Sequence, residues 1–141
     1  MENNLKISVD SKLENVGIVR VAVASFISML DIKIDDLMDV KTAVSEAVTN
    51  SIEHAYLTNN GKVDVYVNIL NNIINIQIED YGMGIEDLEM AMTTAYTSKP
   101  EKEHAGLGFT IMEAFMDEVI VDSKKDQGTK IFMRKELKNI I

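Results

Sequence analysis

Apolar and polar residues alternate along three stretches of the chain, and that period names the elements there. Leu5, Ile7 and Val9 alternate with Lys6, Ser8 and Asp10, which predicts a short strand. Val63, Val65, Val67 and Ile69 share one side of a second strand, with Asp64, Tyr66 and Asn68 on the other. Ile74, Ile76 and Ile78 oppose Asn75, Gln77 and Glu79 in a third, and Leu70-Asn71-Asn72-Ile73 between the two reads as a hairpin turn. Such alternation predicts a sheet with one face buried and one wet. Helical spacing predicts one helix from about Leu13 to Leu30, with Ser11 as its cap, and a second from Asp36 to Tyr56, ended by Asn59-Asn60-Gly61. A third helix is expected near Leu107 to Met116. Strands around Val119 to Asp122 and Lys130 to Lys135 follow, joined by a turn at Asp126-Gln127-Gly128. Helices gathered on one face of a mainly antiparallel sheet make an α+β fold, a two-layer α/β sandwich.

Composition narrows the setting. The 141 residues read as one domain, 1–141, with no repeat, low-complexity tract or linker. The single proline, Pro100, falls in the one stretch that reads as a long loop, Thr93 to Ala105. Cysteine is absent, which excludes disulfides and cysteine-ligated metals. No apolar run approaches the ~18 residues of a membrane span, and Met1-Glu2-Asn3-Asn4 lacks the basic start of a signal peptide. The expectation is a soluble cytoplasmic protein without membrane attachment. A net charge of -9 argues against direct nucleic-acid binding, which needs a basic face. The acidity suits a basic protein partner, or serves solubility alone.

Three clusters carry candidate chemistry. Glu46 and Asn50 are four apart, so on a helix they lie ~40° apart on one stripe. They sit off the apolar face made by Leu37, Val40, Val44, Val48 and Ala55, where a helix would border a cleft. Magnesium takes oxygen ligands and keeps most of its waters, so the Asn50 amide oxygen plus ligand phosphates would suffice. Glu46 could accept a proton from an attacking hydroxyl; a solvated acid and amide is the plainer reading of this pair. Asp80 shares its parity with Ile74, Ile76 and Ile78, so its carboxylate should point into the buried layer, where an acid needs a donor such as the exocyclic amine of adenine. Gly82 and Gly84 remove side chains where backbone must approach a ligand or take positive φ, although Asp80-Tyr81-Gly82 is also an ordinary exit from a strand. Gly106-Leu107-Gly108 opens a helix, whose free N–H groups favour phosphate. With Thr97, Ser98 and Lys99 before it, the stretch 93–106 resembles a lid over phosphates. Gly128-Thr129, taken alone, is a turn. Arg20 is a lone cation in the apolar run Ile18 to Ala24, either snorkelling from the core edge or meeting a partner.

Taken in order, Glu46-x-x-x-Asn50, Asp80-x-Gly82-x-Gly84, Gly106-x-Gly108 and Gly128-Thr129 resemble the motifs of the GHKL ATPase superfamily. The run Val44-Ser-Glu-Ala-Val-Thr-Asn50 and the Gly106-Leu-Gly-Phe-Thr-Ile-Met112 segment look like the anti-sigma serine kinases of Gram-positive bacteria. Arg20-Val-Ala-Val-Ala-Ser-Phe26 is most similar to their sporulation branch, the anti-sigma F factors. The resemblance spans about Lys6 to Arg134. It implies a Bergerat-type sandwich that binds Mg2+ with ATP or ADP, forms a homodimer, holds a sigma factor (sigma F) inactive and phosphorylates a serine on an anti-anti-sigma protein. Carried over by position, Glu46 would be the general base and Asn50 the magnesium ligand. Asp80 would contact adenine in a pocket shaped by Gly82 and Gly84, Gly106 and Gly108 would bind phosphates, and Thr129 would support the adenine end. Arg20 would lie on the surface that meets sigma and the anti-anti-sigma protein. Close relatives commonly carry arginine in the lid where this chain has His104; a phosphate contact from His104 would strengthen ATP binding as pH falls from about 8 to about 6. The alternatives are a general stress-response anti-sigma kinase and a binding module whose nucleotide only sets conformation. A histidine-kinase ATPase domain is the less favoured expectation, because no phospho-acceptor helical domain precedes it.

Overall fold

The computed structural model describes residues 1–56, 61–84 and 108–138. Strand β1 covers Glu2–Asp10, followed by a 3-10 turn at Leu13–Asn15, α1 at Val16–Ile27 and α2 at Ile34–His54. Then come β2 at Lys62–Leu70, β3 at Ile73–Asp80, α3 at Gly108–Phe115, β4 at Glu118–Ser123 and β5 at Thr129–Glu136. The five strands form one sheet in the order β1-β2-β3-β5-β4, antiparallel at every pairing. The β2–β3 connection is the expected tight hairpin, with Asn71 at φ 54, a conformation asparagine tolerates better than most residues.

The period-2 pattern survives intact. Val63, Val65, Val67, Ile69, Ile74, Ile76, Ile78, Ile131 and Met133 are all buried on the side facing the helices. Val19, Val23 and Ile27 of α1, Val40, Val44 and Val48 of α2, and Phe109 and Met112 of α3 close the layer over them. On α2 the buried stripe is wider than the sequence spacing predicts, since Ala43, Ala47, Ser51 and Ile52 are buried too. Alanine and serine let the helix approach its neighbours closely where a valine would hold it off.

One expectation fails. Ser11 does not cap a helix beginning at Leu13. Its N–H donates to the Gly61 carbonyl at 2.9 Å, prolonging the edge of the sheet past Asp10, and the chain makes a single 3-10 turn before α1 starts at Val16. The N-cap of α1 is Asn15, whose side-chain amide donates to the Asp10 carbonyl at 2.8 Å instead of capping the helix.

Candidate functional site

Parity places Asp80 at the inner end of β3, and the structure buries it to 3% exposure. Burial pushes its pKa above the ordinary value. The hydrogen bond from the Gly82 N–H (3.1 Å), the nearby Ser51 hydroxyl and the Thr129 backbone oppose that rise. Ser51 comes from α2. Its hydroxyl lies close enough to favour the carboxylate, yet Oγ has no partner in good hydrogen-bond geometry among the described residues. A buried carboxylate with a buried hydroxyl beside it, the hydroxyl lacking a well-formed hydrogen bond among the described residues, is what a polar ligand edge would complete. Thr129 stands opposite Asp80 in the β3–β5 register, and its Oγ1 lies 2.7 Å from Ser123 Oγ.

Two backbone contacts hold this corner. A methyl at Gly82 would collide with the Ala55 carbonyl at the end of α2, the same carbonyl that accepts a hydrogen bond from Met83 N at 2.7 Å. Gly82 thus lets α2 press against the exit of β3, which carries Ser51 to Asp80. Gly128, at φ 85, lies where any side chain would strike the Asp80 carbonyl, and Gly84 meets the Lys124 carbonyl in the same way. The β3 exit and the β4–β5 turn therefore interlock, and the Asp126 N–H donates to the Met83 carbonyl at 2.6 Å.

Further up α2, Glu46 and Asn50 are half-buried, at the border between core and surface. Gly108 begins α3, and a methyl built on it would sit 3.8 Å from Glu46 Oε2. The first turn of α3 thus faces the acid. One helix, α2, strings Glu46, Asn50 and Ser51 between α3 at one end and Asp80 at the other. Thr97, Ser98, Lys99, His104, Gly106 and Leu107, and the lid at 93–106, lie outside the described residues. A cavity of about 340 Å³ touches Asp80 and Thr129 but is lined as well by the outer-face row Glu79, Lys130 and Asp122 and does not include Ser51. The larger hollow, about 610 Å³, lies over the outer face of the sheet and touches none of Glu46, Asn50 or Asp80. Size is a poor guide here, because the inward acid and the orphaned hydroxyl are elsewhere.

The chain matches the family described as "Histidine kinase-like ATPase domain" over residues 9–135. Relatives named anti-sigma F factor are similar along almost their whole length. The one from Clostridium kluyveri is 50% identical over 95% of this chain and 94% of its own. That from Clostridium novyi is 51% identical over 98% and 97%. The chain belongs to the anti-sigma F factor family. Among solved structures, the RsbU and RsbW domains of Rv1364c from Mycobacterium tuberculosis superpose with a TM-score of 0.70 at 20% identity, over 96% of this chain and 32% of that one. The catalytic domain of histidine kinase ThkA gives 0.60 at 16% identity, over 96% of each. At such identities these two establish the fold alone.

For a member of the anti-sigma F family, the outer surface of α1 is the notable feature. Arg20 is exposed, and the same helix leaves Ile18 and Val21 60% and 63% exposed. Two large aliphatic residues this open on one short helix are a candidate protein contact. Sequence reading misses three groups. Ser51 is hidden in an apolar stripe. Asp64, on the outer face, is raised by burial but held below its ordinary pKa by hydrogen bonds from Ser8 and Tyr81 and by Lys6 and Lys62. The Tyr81 hydroxyl donates to Asp64 Oδ2 at 2.5 Å, and its pKa is pushed up in turn. Lys135 is the third, and its parity with Ile131 and Met133 is the available signal. No helix among the described residues is long and apolar enough to cross a membrane.

Proposed function

We propose that this anti-sigma F family member is an ATP-dependent protein serine kinase that also holds a sporulation sigma factor inactive, its phosphorylation substrate being a serine of an anti-anti-sigma protein. The observation that carries the reading is the inward Asp80 carboxylate beside the unsatisfied Ser51 hydroxyl, joined through α2 to Glu46 facing the start of α3. Asp80 and Ser51 supply an acceptor and a second polar atom for the amine edge of adenine, with Thr129 behind them. The N–H groups at the start of α3 are placed to take phosphate. Magnesium would arrive on the nucleotide phosphates, with Asn50 adding one oxygen. When bound, magnesium neutralises charge on the phosphates. Glu46 takes the proton of the attacking serine hydroxyl as its oxygen bonds to the γ-phosphorus and ADP departs.

The relatives' names and the exposed Arg20, Ile18 and Val21 support the sigma-binding half of the reading. The homodimer belongs to it as well. Across the open face of the sheet one row of cross-strand neighbours runs Lys6, Tyr66, Gln77, Phe132, Ile120, and exposed Phe132 and Ile120 offer a second copy apolar surface to bury.

Transfer of labelled γ-phosphate from Mg–ATP to a purified anti-anti-sigma protein tests the kinase, with Glu46→Gln alongside and ATP binding measured separately. The variant is expected to bind ATP and lose transfer by at least about a hundredfold. Tight ATP binding without transfer in the wild type would replace the kinase by a nucleotide-gated binding module.

A further inference from the structure

Lys135 is out of place by the logic of its strand. It follows Ile131 and Met133 on the inner face of β5, pointing into the helix layer, and its side chain is only 12% exposed. An ammonium group there is costly unless it is satisfied, and a methionine such as Met133 would fill the space at less expense. The partners account for it. Nζ donates to the carbonyl of Phe115, the last residue of α3, at 2.8 Å. It also lies 3.9 Å from Asp36 Oδ1 and 3.8 Å from Asp39 Oδ2, near the start of α2. The cation meets the negative end of one helix dipole, while the acids it pairs with sit at the positive end of the other.

These contacts lie at the far ends of the two helices that build the phosphate half of the site. From Asp39 to Glu46 is roughly 10 Å along α2, and α3 is roughly 12 Å long from Phe115 back to Gly108. We infer that Lys135 is a positioning residue: it pins α2 and α3 together at one end, so that Gly108 and Glu46 keep their spacing at the other. The inference rests on the nucleotide reading above and says which half of the ligand the clamp serves. The adenine end is built separately, from Asp80, Ser51, Thr129 and the contact of Ala55 with the β3 exit.

That separation makes the clamp distinguishable from ordinary packing. Affinities for ATP and for adenosine are measured for wild type, Lys135→Met, Lys135→Arg and the Asp36→Asn/Asp39→Asn pair, each at a temperature where melting curves show it folded. Losing a charge-assisted hydrogen bond that positions α3 should weaken ATP binding about tenfold in Lys135→Met, with adenosine within about twofold of wild type. Lys135→Arg should recover most of the loss, and the double aspartate variant should fall between. Equal losses for ATP and adenosine, or no loss for ATP, would overturn the clamp. If Lys135→Met does not fold, the double aspartate variant serves in its place, and an unchanged ratio of ATP to adenosine affinity there sinks the idea. Wild type that binds no ATP would refute the nucleotide reading itself, and the clamp with it.

Discussion

Replacing Asp80 by asparagine should move stability and ligand binding in opposite directions. The wild-type carboxylate is 3% exposed, and burial raises its pKa above the ordinary 3.8. A carboxyl that holds its proton more tightly folded than unfolded gives a stability that is complete below pH 3.8 and is lost as pH rises through the folded pKa. At neutral pH the free protein therefore carries the cost of an ionised group whose hydrogen bonds do not fully offset desolvation. Asparagine keeps an oxygen to accept the Gly82 N–H and removes the charge. The expected gain is about 1 kcal/mol at pH 7, or a rise of about 3 °C in Tm for a domain of this size. The difference should shrink as pH falls through the raised folded-state pKa, where wild-type Asp80 takes up its proton, and be gone below pH 3.8. Adenine nucleotide binding should fall, because a charged acceptor is lost to an amide. At about 2 kcal/mol for such a hydrogen bond, the loss is roughly thirtyfold. Urea denaturation at pH 4 to 8 and calorimetric ATP titration are the assays. A variant less stable than wild type at pH 7, or one with unaltered ATP affinity, would refute the reasoning.

Other substitutions read other contacts. Gly128→Ala should cost at least about 2 kcal/mol, since Gly128 sits at φ 85 and a methyl there strikes the Asp80 carbonyl; a denaturation midpoint equal to wild type would show that the interlock relaxes. Tyr81→Phe removes the hydroxyl that donates to Asp64, at a cost of about 1 kcal/mol for a half-exposed donor. Because the Asp64 pKa is held below its ordinary value, its stabilisation is present above pH 3.8 and lost as pH falls. Acid unfolding of Tyr81→Phe should accordingly begin at higher pH, as followed by far-UV circular dichroism. His104→Ala should abolish any strengthening of ATP binding between about pH 8 and pH 6; equal pH dependence in the variant and wild type would remove His104 from the phosphate site.

Much of this architecture is legible in the sequence because strands have a period of two. Ile74, Ile76, Ile78 and Asp80 carry both the buried face of β3 and the unusual position of the acid. The failure at Ser11 has a tertiary cause. Its N–H is claimed by the Gly61 carbonyl of a segment 50 residues away, and no local cap preference could reveal that. The width of the α2 stripe is hidden for a similar reason, since Ala43, Ala47 and Ser51 are buried by the closeness of their neighbours rather than by their own hydrophobicity.

The chain by itself determined which residues face inward and which glycines stand where backbone runs close, because parity and the absence of a Cβ are local properties. Only the tertiary structure decided what those residues meet. Gly82 lies against Ala55, Gly128 against Asp80, Gly108 near Glu46, and the ammonium of Lys135 between the ends of two helices. Such contacts join segments far apart in sequence. They exist because the strands and helices of the described residues share one buried layer, whose close packing leaves each polar group few partners to choose from.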